Sequence, residues 1–206
     1  MTRGRRPTTE FPAGATTLLF TFAFVVLFRL EQNVAYALGI TTRRLVTVDA
    51  FPLRAVVQLF APFLHATAGH LVSTLTWFVP FGYFLERRAS PVDYVAFVVL
   101  SGLVTTMLVP SALVLLGVPV GLGVGASGIT HALVGREAAA RSRWVVERRA
   151  LSRTQRAILV VALAGVALAV VAIVTDGLSR RDVTGHATGL LLGALVGAGE
   201  RYVSWA

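Results

Sequence analysis

The chain of 206 residues contains no cysteine and no lysine, and only 14% of it is charged. Without cysteine there is no disulfide framework, no thiolate metal site and no cysteine nucleophile. Soluble domains carry roughly 25% charged residues, whereas here 55% of residues are hydrophobic and the mean hydropathy is +0.74. That balance describes an integral membrane protein, all-α, forming a single domain over residues 1–206. Acidic residues are also scarce, 10 against 19 arginines. The resulting pI of about 11.4 raises nucleic acid as a partner, but the arginines sit in short segments between apolar runs, where membrane topology accounts for them. The expected surroundings are a lipid bilayer, with no nucleic acid.

Six apolar segments can be read, at residues 13–30, 70–85, 94–116, 127–140, 157–175 and 183–198, most of them near the roughly 20 residues that span a bilayer. Pro80 lies inside the second and Pro110 inside the third. The amino-terminal run is read as a retained helix, because no small-residue cleavage site follows it. Between the first two segments, residues 31–69 form a long loop with the pattern of interfacial helices lying in the membrane plane. Arginines occupy the 1–12 tail, the turn at Arg87 and Arg88, and the connection 141–156. With six spans these fall on one side, which the positive-inside rule makes cytoplasmic together with both termini. Glu86, Arg87 and Arg88 then read as a solvated turn, and Arg136 as a side chain that snorkels towards the inner interface.

Two of these segments carry polar residues suited to chemistry. Gly125-Ala126-Ser127-Gly128 opens the fourth segment and Gly185-His186-Ala187-Thr188-Gly189 opens the sixth, so Ser127 and His186 share a depth near the outer face. A serine between glycines is by itself more often a packing residue, and a lone histidine more often an interface residue. A pair at one depth is different, because a hydroxyl and a base that meet are the minimum for nucleophilic catalysis. Gly185, Gly189, Gly193 and Gly197 form an every-fourth-residue stripe, with Gly128 and Ala132 as a matching small face, so the two helices can approach closely. His65 and His131 read as structural, although His131, one turn beyond Ser127 on the same face, could line the site; an interhelical hydrogen bond is the favoured alternative for it. A His65–His70–His131 metal site lacks the cysteine or carboxylate that would complete it.

The Gly125–Gly128 motif resembles the serine motif of the rhomboid intramembrane proteases, and residues 185–193 resemble their histidine helix. The likeness extends to His70-Leu71-Val72-Ser73-Thr74, to Pro80-Phe81-Gly82 and to a six-helix bundle with a long first loop. It implies a Ser127–His186 dyad without an acidic third member and without cofactor or metal. It further implies an oxyanion site from the Ser127 N–H and the His70 side chain, with Thr74 where the family has asparagine, supported by Gly125 and Gly128. The expected substrate is a single-span membrane protein cut near the outer face. The first loop lacks the Trp-Arg pair many members carry. Thr74 also keeps a rival open, a catalytically weak or inactive relative that binds transmembrane helices. A transporter is disfavoured, since few charges line any central path.

Overall fold

A computed structural model describes residues 12–39, 59–118, 124–146, 151–175 and 180–200. Among these residues six long helices occur and no strand: α1 (Ala15–Ala37), α2 (Ala68–Glu86), α3 (Pro91–Leu115), α4 (Ser127–Val146), α5 (Arg153–Thr175) and α6 (Arg180–Gly199). A short 3-10 turn, Ala61–Phe63, precedes α2. Two expected boundaries move. Helix α1 continues through Ala37 and α4 through Val146, so the first loop and the arginine-rich connection are both shorter than the apolar runs predict. The interfacial helices expected in the first loop fall largely within 40–58, outside the described residues.

The starts of α1 and α3 have specific polar partners. The orphan N–H groups at the head of α1 are met by Glu86, from the far end of α2. Its carboxylate accepts from the Thr16 and Thr17 amides, both at 2.8 Å, and from the Thr17 hydroxyl at 2.7 Å. Negative charge is favoured at a helix amino terminus. Glu86 is therefore a clamp between two helices rather than a solvated turn residue. The Thr17 hydroxyl also meets the Tyr94 hydroxyl at 2.9 Å, drawing in α3. At the head of α3, Ser90 caps the Asp93 amide and Pro91 takes a first-turn position, where its missing N–H costs nothing.

Helix α3 passes through a π-helical stretch, Val104–Leu108, immediately before Pro110. Proline cannot donate to the helical ladder, and the wider turn absorbs that loss. The Thr105 and Thr106 hydroxyls bond back to the Ser101 and Gly102 carbonyls.

Helix α4 is central and packs against α2, α3, α5 and α6. Its flanks meet a core of Phe24, Phe78, Tyr94, Val98, Ile129 and Leu133. Phe78 stands edge-on to Phe24 at 5.1 Å, a favoured aromatic geometry. The polarity of the bundle is inverted relative to a soluble protein. Leu18, Phe22, Val160, Leu191 and Leu195 are exposed, while Glu137 and Arg141 are wholly buried. Ionisable groups that face inward and pair with one another, beneath an apolar exterior, are the pattern of membrane bundles. Helices α1 and α3 are long and apolar enough to cross a membrane.

Candidate active site

The closest approach in the bundle is between α4 and α6, and glycine makes it possible. A Cβ added at Gly189, Gly193 or Gly197 would run into the carbonyls of Gly128, Ala132 and Arg136 respectively. A Cβ at Gly135 would in turn strike the Leu190 carbonyl. Two helices interlocked in four-residue steps have a fixed register. Gly185 does not share this role: a Cβ there meets only the Thr105 carbonyl of α3, at 3.6 Å, which is ordinary contact. The expectation that it packs α6 on α4 is corrected: of the four glycines in the stripe, only Gly189, Gly193 and Gly197 meet α4.

That register brings Ser127 and His186 together, His186 Nε2 lying 3.0 Å from Ser127 Oγ. Both side chains are half-buried. Ser127 is the first residue of α4, so the first-turn amides around it lack intrahelical partners and carry the positive end of the helix dipole. The bend into the helix is made by Gly125, at φ +109, a conformation that side chains rarely adopt. A Cβ there would also lie 2.5 Å from His70 Cε1. The Gly125 amide donates to the Ala61 carbonyl at 2.8 Å, docking the loop on the 3-10 turn. Gly128 is held against Thr105, whose side chain leaves no room for a Cβ.

His70 stands in the first turn of α2, its amide capped by the Thr67 hydroxyl at 3.1 Å. Thr74, one turn further along, is buried and its hydroxyl makes no hydrogen bond within the protein. His65 is fully buried, its ring centroid 5.4 Å from that of His70. Burial, with His70 beside it, pushes the His65 imidazole down to about 4.

His131 lines the site, the less favoured of the two places its spacing from Ser127 allowed. Its ring stacks on His186, with centroids 4.1 Å apart and planes 12° from parallel. Its Nδ1 lies 2.6 Å from the Ser127 carbonyl oxygen, which can only accept, so Nδ1 carries the proton. The bond is intrahelical and not the interhelical one expected. The four-residue step from Ser127, which puts His131 on the serine's own face, is what brings it there.

Ten residues beyond Ser127, a second polar cluster surrounds Glu137. Its carboxylate receives Arg88 at 3.1 Å, Arg136 at 3.3 Å and Arg141 at 2.6 Å, and Arg136 also pairs with Glu200. Arg136 is thus buried and paired rather than snorkelling, and Arg88 and Arg141 are structural partners of Glu137.

An all-helical bundle with an apolar surface, charges turned inward and a serine–histidine contact at one end of its tightest helix pair defines a class of membrane protein. The family model for the Rhomboid domain matches residues 52–202, and the chain belongs to the rhomboid family. No curated protein matches the sequence.

Proposed function

We propose that this chain is an intramembrane serine endopeptidase that hydrolyses a peptide bond in or near the membrane span of a single-span protein. The observation that carries the reading is the 3.0 Å separation of Ser127 Oγ and His186 Nε2, a hydrogen-bond distance suited to proton transfer. His186 Nε2 takes the hydroxyl proton as Ser127 Oγ bonds to the scissile carbonyl carbon. The C–N bond then breaks, His186 returns the proton to the departing amine, and water repeats the sequence on the acyl-enzyme. The developing oxyanion is met by the Ser127 amide and the His70 side chain, where fixed donors act with little reorganisation. The His131 stack and its bond to the Ser127 carbonyl hold base and nucleophile in one orientation. No cofactor enters the scheme.

In this reading the chain crosses the bilayer six times with both termini cytoplasmic, and the chemistry lies towards the outer face, from which water enters. Hydrogen-bonded helix must open before a carbonyl is reachable, so substrates with small or helix-breaking residues near the cut are favoured. One observation supports a rival, a helix-binding relative of low or no activity: the unpaired Thr74 hydroxyl is a shorter donor than a carboxamide.

The test is reconstitution in liposomes with a panel of single-span substrates, alongside Ser127→Ala and His186→Ala. Cleavage by the wild type and its loss in both variants supports the dyad. Cleavage that persists in either variant excludes it, and an inert wild type that also resists fluorophosphonate favours the helix-binding reading.

A further inference from the structure

We infer that Glu31, on α1, is a positioning residue for the oxyanion side of the site, an assignment that rests on the protease reading above. A carboxyl group within an apolar helix is costly and calls for a functional reason. Glu31 is 4% exposed, and its Oε2 accepts the backbone N–H of His65 at 3.0 Å. Its other oxygen has no hydrogen-bond partner within the protein, nor does either ring nitrogen of His65. A group kept in place at that expense contributes through the segment it holds.

That segment, residues 61–70, is the wall of the site. Glu31 grips it from the α1 side at His65, and Phe24 of α1 packs on both Phe63 and His65 at 5.8 Å. On the opposite side the Gly125 amide bonds to Ala61, and Gly125 lies so close to the His70 ring that no side chain fits between them. The His65 ring backs directly on His70, and Thr67 caps the turn that carries it. Glu31 therefore sets where His70 stands relative to the Gly125–Ser127 loop without touching substrate. Glutamine reproduces the acceptor and leucine does not, so the two variants separate clamping from bulk.

Full-length wild type, Glu31→Leu and Glu31→Gln are compared in liposomes by substrate cleavage, by fluorophosphonate labelling of Ser127 and by hydrogen–deuterium exchange at the His65 amide. Glu31→Leu is expected to lower kcat about tenfold with KM within about twofold, the signature of an interaction felt in the transition state. His65 exchange should accelerate in the same variant, and Glu31→Gln should restore rate and protection together. Wild-type rates in Glu31→Leu, or a Glu31→Gln variant as impaired as the leucine one, overturn the positioning role alone. If Glu31→Leu does not fold, the wild type still decides: a His65 amide that exchanges as fast as an unprotected one overturns the clamp. A wild type inert to both substrate and probe overturns the protease reading, and the positioning role with it.

Discussion

The two ends of the α4–α6 contact solve opposite problems with the same backbone. At one end, Ser127, His131 and His186 are half-buried and joined by a hydrogen bond between helices, one within α4 and a ring stack. At the other, roughly 15 Å along the helix, Glu137 is fully buried among three arginines, and Arg136 extends the network to Glu200. Between them runs the glycine interlock. The charged end has every reason to stay put, because separating its members would strand ions in a medium that cannot solvate them. The serine end keeps polar groups available for a reacting molecule. A rigid foot beneath a sparsely bonded head lets the reactive pair be held in place without being used up in structural bonds.

The comparison breaks most severely at the interlock. Gly193→Val forces side-chain atoms into the Ala132 carbonyl, which is backbone and cannot step aside. Loss of folded protein on size exclusion, or of more than about 4 kcal/mol of stability, is expected. Gly185→Ala is the internal control and should lie within about 0.5 kcal/mol of wild type, since its added methyl meets only ordinary contact. Equal behaviour of the two variants would remove the interlock from the account.

Next comes the charged foot. Glu137→Ala leaves Arg141 and Arg136 buried against Arg88, and a loss of about 3–5 kcal/mol is expected in thermal unfolding. Stability and activity should fall together; a stable but inactive variant would mean that Glu137 serves the chemistry directly.

The wall of the site gives a pH signature. An unfolded chain binds a proton at His65 near 6.5, and the folded protein not until about 4. Between those values the unfolded state holds more protons at this ring, so His65's own contribution to stability declines as pH drops from 6.5 to 4, by roughly 3 kcal/mol. The stability difference between wild type and His65→Gln should therefore change with pH across the same range in unfolding experiments, and a difference that stays constant would contradict the assignment.

The smallest effect sharpens the oxyanion side. Thr74→Asn supplies a longer donor from a buried position whose hydroxyl now bonds to nothing. A rise in kcat of about tenfold, or about 1.4 kcal/mol, is expected with little change in KM. A fall would show that Thr74 is tuned to its present packing.

Much of this was legible in residue order. The apolar runs anticipated all six helices, because a segment of that length and hydropathy has few alternatives in a bilayer. The shared depth of Ser127 and His186 followed from counting spans, and their approach from the glycine stripe. Arg136, Glu137 and Arg141 were harder to read, since a charge in a short helix looks like an interface marker until its partner is known. Arg88 is 49 residues away, and no local pattern links the two. Glu86 was misread for the same reason, its partners Thr16 and Thr17 lying across the bundle at the head of another helix. The step from Ser127 to His131 is visible from spacing within one helix, and the Ser127–His186 pair from motifs and a glycine stripe, whereas Glu137–Arg88 and Glu86–Thr16 join distant helices with no motif between them.

The most direct measurement is the rate of covalent fluorophosphonate capture at Ser127 in liposomes, wild type against His186→Ala, with the labelled peptide identified by mass spectrometry. A serine activated by His186 should label in the wild type and slow by at least about a hundredfold in the variant. Equal labelling in both, or a label found on another residue, would contradict the dyad.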